Sequence, residues 1–94
     1  MQVIYYSSYV KDIKKLTPNF KKIAQGIENE LLAVESEEQL RAHPKITDMV
    51  GHAGTYRYKQ GDWRLGFFVE EIEGERIIAL ARFLHRKDIY RNFP

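Results

Sequence analysis

The chain has 94 residues, 44% of them hydrophobic and 13% aromatic, which suits one domain with a small core. It has no cysteine, and this excludes disulfides, thiolate metal ligands and a cysteine nucleophile. The first residues do not resemble a signal peptide, and no segment approaches the roughly 20 apolar residues of a membrane-spanning helix. We therefore expect a cytoplasmic protein with a single domain over residues 1–94 and no membrane partner.

The net charge of +2 is weakly informative, but the charges are distributed unevenly along the chain. Residues 27–41 contain five glutamates and a single arginine, whereas residues 57–64 and 82–91 are rich in arginine and lysine. Cations grouped in one part of a chain are typical of a surface that binds a polyanion. The second half of the chain is therefore expected to present a basic face.

The N-terminal half is predicted to form a strand followed by two helices. Residues 2–6 are rich in β-branched and aromatic side chains, which favours a strand. Ser7 or Ser8 is expected to cap the first helix, and Thr17 followed by Pro18 is typical of the start of the second. Apolar residues recur at helical spacing, at Tyr9, Ile13 and Leu16 in the first helix and at Phe20, Ile23, Ile27, Leu31 and Val34 in the second.

A short third helix and a loop are expected to link the two halves. Ser36 with Gln39 three residues later is a capping-box pattern, which predicts a helix through about Ala42. Pro44 ends this helix. Residues 45–56 contain two glycines and are predicted to form a loop.

From Thr55 onward the hydrophobic pattern has a period of two. Alternating side chains on either side of residues 60–62 (Gln-Gly-Asp) predict two strands joined by a hairpin turn. Gly74 marks a second turn, and residues 76–85 form a final, mostly buried strand. The predicted class is α+β, with the order β-α-α-(short α)-β-β-β and a helical hairpin packed on a small antiparallel sheet.

The position of the hairpin turn determines which side chains share a face of the sheet. Lys59 lies directly opposite Arg64, and residues opposite each other in an antiparallel pair point to the same side. Arg57 shares that side because side chains alternate along a strand. A shift of one residue in the register would separate Lys59 from Arg64. The other side, toward the helices, is expected to hold Tyr56, Tyr58, Leu65, Phe67 and Val69.

Three cations on one face of the sheet favour an anion-binding site. Like charges placed opposite each other destabilise a sheet unless an anion or an acidic partner lies between them. The alternative is an ordinary solvated face on which the cations spread apart into water. The end of the final strand, residues 83–93 (FLHRKDIYRNF), adds further polar side chains and shifts the balance toward a site.

The residues of this terminal segment also have structural interpretations. His85 can end a strand with its ring half exposed, and Asp88 can be a local cap or an ion-pair partner for Arg86 or Lys87. Tyr90 and Phe93 can fold the tail onto the sheet as a hydrophobic latch, which we favour for Phe93.

Two segments resemble a known family. Residues 56–68 (YRYKQGDWRLGFF) and residues 81–90 (ARFLHRKDIY) are similar to the RelE/ParE superfamily of toxins from type II toxin–antitoxin pairs. The length and the predicted order of elements agree with that superfamily over nearly the whole chain. The resemblance implies a RelE-like fold. For RelE-like members it also implies a metal-independent endoribonuclease that cleaves mRNA in the ribosomal A site and so inhibits translation.

The resemblance also implies roles for individual residues. Arginine suits this chemistry because its planar guanidinium matches phosphate oxygens, and histidine because it exchanges a proton near neutral pH. The implied RNA- and phosphate-binding residues are Arg57, Lys59 and Lys87. The implied catalytic residues are Arg64, His85, Arg86 and Tyr90. Neither a metal nor a cofactor is implied.

The partners that the resemblance implies are a cognate antitoxin, the ribosome and mRNA, with operator DNA bound only through the antitoxin. Two alternatives remain open. A ParE-like protein would inhibit DNA gyrase, and would tolerate changes in the terminal polar residues. A degenerate toxin would act without catalysis in antitoxin and operator regulation, and would be harmless when expressed alone.

Overall fold

Five strands form a single sheet, and helices lie on both of its faces. The structure, a computed structural model, describes residues 1–94. No helix combines the length and the apolar character that crossing a membrane requires. In chain order the elements are β1 (Val3–Tyr5), α1 (Ser7–Lys14), α2 (Pro18–Ala33), α3 (Glu37–Ala42), β2 (Ile46–Asp48), β3 (Thr55–Gln60), β4 (Trp63–Ile72), β5 (Glu75–His85) and α4 (Arg86–Asn92).

The strand order across the sheet is β1-β5-β4-β3-β2. Strands β2 to β5 form an antiparallel meander, and β1 adds to it by pairing in parallel with β5. The predicted α+β class, with a helical hairpin on a small sheet, is confirmed. The parallel pairing of β1 is a detail beyond the predicted antiparallel sheet. It is possible because three helices and the first strands of the meander separate β1 from β5 along the chain, and parallel strands need such a long connection.

Two elements were not expected from the sequence. The prediction of a loop over residues 45–56 is wrong for Ile46–Asp48, which form β2 at the edge of the sheet. Three residues are too few for an alternating pattern, and the strand exists because β3 supplies its hydrogen bonds. Helix α4 follows β5 directly, and of its residues and C-cap only Ile89 and Phe93 are buried.

The main core lies between the helical hairpin and one face of the sheet. Tyr9 of α1 and Leu31 of α2 pack there against the strand residues predicted to face the helices, all of which are buried. Ile23 departs from the predicted stripe, since it is 36% exposed while the neighbouring Ala24 is 1% exposed. The buried stripe of α2 therefore begins at Ala24 and continues through Ile27 to Leu31.

The predicted starts of α2 and α3 are confirmed. The Thr17 hydroxyl accepts a hydrogen bond from the Phe20 amide (3.5 Å), and Pro18 occupies the first helical position. The Ser36 hydroxyl accepts from the Gln39 amide (3.2 Å), and the Gln39 side chain accepts from the amide of residue 35 (2.9 Å). The bonds to the Thr17 and Ser36 hydroxyls satisfy amides that the first helical turn leaves without partners.

The predicted serine cap of α1 is wrong. Tyr6 is the N-cap residue, and its side chain makes no capping hydrogen bond. Ser8 lies inside the helix and donates to the carbonyl oxygen of Ala81 in β5 (2.6 Å). Since β1 ends at Tyr5, its pairing with β5 fixes where the helix begins, and Ser8 serves to join α1 to the sheet.

A buried carboxylate also joins α1 to β5. Asp12, 5% exposed, accepts hydrogen bonds from Arg82 Nε (2.8 Å), Arg82 Nη2 (3.1 Å) and the Phe83 amide (3.0 Å). These bonds to the carboxylate raise the pKa of Arg82. Three hydrogen-bond donors from one strand therefore offset the free-energy cost of burying the Asp12 carboxylate.

The acidic segment of the chain has a structural role. Three of its five glutamates accept hydrogen bonds from tyrosine hydroxyls of other elements. Burial, together with the glutamate partners, raises the pKa of Tyr9 and Tyr58. The pairs are Tyr5 and Tyr9 with Glu28 (2.7 and 2.9 Å), Tyr58 with Glu30, and Tyr56 with Glu37 (3.0 Å).

Candidate functional site

The predicted basic face of the sheet is present. Lys59 pairs directly with Arg64 across β3 and β4, and Arg57 pairs with Gly66. The predicted register is therefore confirmed, and alternation places the three cations on one side of the sheet. This side is opposite to the main core.

Helix α4 packs across the same side of the sheet. Its two apolar anchors, Ile89 and Phe93, form a second small core with Ala81 of β5. Ile89 is completely buried, and the ring of Phe93 lies 5.1 Å from the ring of Phe68 on β4. Helix α4 thereby covers one end of the basic face and leaves the other end open.

The open end forms a cleft of about 170 Å³ that we call the basic cleft. Its lining consists of Thr47, Arg57, Lys59, Arg64 and Tyr90. The Arg57 guanidinium lies 5.1 Å from the centre of the Tyr90 ring, within range of a cation–π contact. Strands β2, β3 and β4 supply the floor of the cleft, and α4 supplies one wall.

The cations of the basic cleft have no acidic neighbours. Arg57, Lys59 and Arg64 all lack a carboxylate oxygen within 4.0 Å. Arg64 instead donates from Nη1 to the carbonyl oxygens of Gly61 (2.7 Å) and Trp63 (2.8 Å), which hold its side chain toward the hairpin turn. Three cations without counterions in one cleft generate a local positive potential that favours a bound anion.

His85 lies on the other side of the sheet. It pairs with Trp63, and both residues point away from the side that carries Arg64. The centres of the His85 and Trp63 rings lie 5.8 Å apart in a T-shaped arrangement, and Trp63 stacks in turn on Phe83 of the main core. His85 Nδ1 accepts a hydrogen bond from the Lys87 amide (3.2 Å), so His85 is the N-cap of α4.

The remaining predicted residues lie at the start of α4. Arg86 is exposed, donates its amide to the Asp62 carbonyl (2.7 Å), and places Nε 3.7 Å from the Asp62 carboxylate. Lys87 is exposed as well. The structure thus brings together Arg57, Lys59, Arg64 and Tyr90, and it places His85, Arg86 and Lys87 outside the basic cleft.

Thr47 lines the basic cleft but was not predicted as a site residue. It belongs to β2 and pairs directly with Arg57, which aligns the two side chains on one face. A sequence signal is lacking because β2 lies in a segment that was predicted to be a loop. Only the pairing with β3 brings Thr47 to the site.

Solved structures show what class of protein has this fold. The chain is similar to a chain of the RelB–RelE antitoxin–toxin complex from Methanococcus jannaschii, with a TM-score of 0.65 and 27% identity over 97% of this chain and 99% of the other. It also shares its fold with a chain of the RelBE2 toxin–antitoxin complex from Mycobacterium tuberculosis, with a TM-score of 0.59 and 19% identity over 90% and 96% of the two chains. The fold is therefore that of the RelE-type toxins, as the sequence segments predicted.

A sequence relative establishes the family. The chain is 33% identical to Toxin RelE3 from Methanocaldococcus jannaschii over 94 residues, which is the full length of both proteins. No protein-family model matches the chain. Identity of this extent over the whole length shows that the chain belongs to the RelE toxin family.

Proposed function

We propose that the protein is the toxin of a toxin–antitoxin pair and cleaves mRNA on the ribosome, in the cytoplasm, as a metal-independent endoribonuclease. One observation carries this proposal. Three cations without carboxylate partners share the basic cleft with an exposed tyrosine, and these side chains can supply the charge stabilisation and proton transfers of RNA cleavage without a metal. Membership of the RelE toxin family supports the same conclusion.

The reaction needs charge stabilisation at one phosphate. The ribose 2′-oxygen attacks the adjacent phosphorus while the bond to the 5′-oxygen breaks, which leaves a 2′,3′-cyclic phosphate and a 5′-hydroxyl end. Negative charge grows on the non-bridging oxygens in the transition state. Arg57, Lys59 and Arg64 would stabilise that charge, and removal of one such group typically lowers a rate by about 10²–10³-fold.

Two protons must also move. A base takes the proton of the 2′-hydroxyl, and an acid supplies one to the departing 5′-oxygen. Within the basic cleft, Lys59 and Tyr90 are the side chains that both bind and release protons in proteins, whereas arginine stays protonated. We assign the proton transfers to these two residues, with Tyr90 in addition available to stack on a splayed base.

His85 has a different role in this proposal. Its position on the opposite side of the sheet and its hydrogen bond to the Lys87 amide support a capping role rather than proton transfer. Arg86 likewise contacts the hairpin turn through Asp62. We therefore propose that both residues hold α4 in place. The proposed catalytic set is then smaller than the one that the family resemblance implies.

A cognate antitoxin is the proposed partner in the cell. The similar solved structures are complexes of toxin with antitoxin. An acidic or amphipathic segment of an antitoxin would match the uncompensated cations of the basic cleft by charge. Operator DNA would be bound through the antitoxin, because nothing in the toxin's own proposed chemistry requires duplex DNA.

Induction of the free toxin in growing cells tests the proposal. Protein synthesis, DNA synthesis and new mRNA 5′ ends are measured together for the wild type, for Arg64→Ala and for Lys22→Ala, which removes an exposed cation of α2 far from the basic cleft. We expect a rapid stop of translation with cuts inside coding regions, abolished by Arg64→Ala and unchanged by Lys22→Ala. A fall in DNA synthesis with intact messages would instead assign the protein to gyrase inhibition. If a folded, well-expressed protein changes neither protein synthesis, DNA synthesis nor mRNA, the result would favour a non-catalytic regulator.

A further inference from the structure

Tyr90 and Phe93 contact two residues that face each other across the sheet. Tyr90 lies in the last turn of α4, and Phe93, three positions later, is the C-cap residue with an extended backbone. Arg57 and Gly66 pair directly across β3 and β4. Tyr90 lies over Arg57, and Phe93 lies over Gly66. The position of Phe93 on the sheet thus determines where Tyr90 can lie.

Gly66 provides space for the Phe93 ring. A Cβ atom at Gly66 would lie 2.6 Å from Cγ and Cδ2 of Phe93 and 2.8 Å from Cδ1, which is too close for carbon atoms that are not bonded to each other. The backbone of Gly66 is not in the left-handed region, so conformation alone does not require glycine there. The requirement is for space, because the aromatic ring lies directly on the strand backbone.

The Phe93 ring is held from several sides. It is 4% exposed, packs against Phe68, and belongs to the small core with Ala81 and Ile89. Its amide donates to the Ile89 carbonyl at 2.9 Å. The ring therefore has a single well-defined position, whereas Tyr90 is 69% exposed and has Arg57 as its aromatic–cation neighbour.

We propose that Gly66 and Phe93 are positioning residues that hold Tyr90 against Arg57 in the basic cleft. Neither residue touches the cleft itself. The proposal concerns the geometry of the free protein, and its consequence for RNA cleavage rests on the proposed function. A displacement of about 1 Å can lower a rate on the order of 10²-fold, so the Gly66–Phe93 contact would govern activity from outside the site.

A structural measurement tests the positioning directly. The aromatic ring of Tyr90 shifts the NMR resonances of the Arg57 side chain, and a Tyr90→Leu variant gives their values without the ring. We expect Gly66→Ala to move the Arg57 resonances to the Tyr90→Leu values while the amides of α1 and α2 stay unchanged. Gly26→Ala in α2 is the matched control, since a Cβ there meets nothing within 4 Å.

Two further variants keep the test decisive. Phe93→Leu leaves Gly66 intact and provides the same measurement if Gly66→Ala does not fold. In the double variant Gly66→Ala/Phe93→Leu the smaller side chain gives room to the new methyl group, so we expect a smaller shift than the sum of the two single changes. Wild-type Arg57 resonances in folded Gly66→Ala and in Phe93→Leu would overturn the proposal.

The cleavage assay separates this inference from the proposed function. If the wild type cleaves mRNA, we expect Gly66→Ala to cleave at least tenfold more slowly and Gly26→Ala to cleave normally. Normal cleavage by a Gly66→Ala protein whose Tyr90 has left Arg57 would overturn the functional consequence. If the wild type does not cleave but the Arg57 resonances respond as expected, the proposed function fails while the positioning by Gly66 and Phe93 stands.

Discussion

At the scale of residues, the basic cleft is distinguished by three cations without ion pairs that lie together beside one exposed tyrosine. Arg41, Arg76, Arg82 and Arg86 each lie within 4.0 Å of a carboxylate. The three cations of the basic cleft do not. A carboxylate in an ion pair offsets most of the electrostatic potential of its cation. Because the cations of the basic cleft have no such partner, their potential remains available to attract an external anion.

Tyr90→Phe tests whether the tyrosine hydroxyl transfers a proton. The phenyl ring preserves the contact with Arg57 and any stacking on a base, whereas the exchangeable proton is lost. We expect cleavage to fall about 10²-fold with RNA binding unchanged, as measured by single-turnover cleavage and by direct binding. Tyr5→Phe, which changes a half-exposed tyrosine outside the cleft, should retain activity. Wild-type cleavage by Tyr90→Phe would remove the hydroxyl from the mechanism.

Asp12→Asn tests the buried carboxylate that joins α1 to β5. The amide cannot accept from Arg82 and the Phe83 amide as the carboxylate does, and it leaves the Arg82 guanidinium without its counterion. We expect a loss of about 2–3 kcal/mol in the free energy of unfolding, measured by urea denaturation. Asp48→Asn breaks an exposed pair with Arg41 and should cost less than about 1 kcal/mol. Equal effects of the two substitutions would contradict this assignment.

At the scale of elements, α4 connects the end of β5 to the basic cleft. His85 caps its first turn, Ile89 and Phe93 bury its apolar face, and Tyr90 extends from it into the cleft. A helix of seven residues is too short to be stable alone in water, so its position depends on the cap and the two anchors. The geometry of the proposed active site is consequently sensitive to residues outside the basic cleft.

Replacing His85 distinguishes a cap from an acid–base group. Asn is a good N-cap residue but does not exchange protons near neutral pH, whereas Ala does neither. We expect His85→Asn to keep cleavage close to the wild-type rate, and His85→Ala to lower the stability of α4 by about 1 kcal/mol with a partial loss of activity. The measurements are cleavage rates and amide exchange in α4. A loss of about 10²-fold or more in His85→Asn would restore His85 to the proton-transfer chemistry.

The hairpin of β3 and β4 was the most predictable part of the basic cleft. The alternating pattern of residues 55–70 and the turn at Gly61 fix the register that aligns Lys59 with Arg64, and this register is local information. Strand β2 and helix α4 were not predictable in the same way, because their residues acquire structure only through contacts with β3 and with Gly66. The side of the sheet on which His85 lies was also not predictable, because the family pattern specifies residue types and not the direction of their side chains.

At the scale of the whole molecule, two groups of charged side chains lie on opposite sides of the sheet. On the core side, Glu28, Glu30 and Glu37 accept hydrogen bonds from tyrosine hydroxyls, and the cations of the basic cleft lie on the other side. The net charge of +2 is a sum over the whole chain, so it does not describe the local charge of the basic cleft. The hydrogen bonds from tyrosine to glutamate also require the tyrosines to be neutral.

Stability should consequently decrease at alkaline pH. The hydrogen bond from Tyr6 to Glu70 raises the pKa of Tyr6 from 10.0 to about 12. Because folding raises this pKa, the neutral tyrosine contributes its full stabilisation at pH values below the pKa of the unfolded state. This contribution is lost as pH rises from about 10 toward 12. We expect the free energy of unfolding to fall over that window, and to fall less steeply in Tyr6→Phe. Identical pH profiles for the two proteins would contradict a role for this pair.

Cleavage of ribosome-bound mRNA by the purified protein tests the central claim most directly. Ribosomes are programmed with a defined message that leaves one codon in the A site, and the 5′ ends of the products are mapped for the wild type, Arg64→Ala and Lys22→Ala. We predict cuts within the A-site codon of ribosome-bound mRNA and not of free mRNA, reduced about 10²-fold or more by Arg64→Ala and unchanged by Lys22→Ala. No cleavage by the folded wild type, or equal cleavage by Arg64→Ala, would contradict the assignment of the basic cleft as the active site.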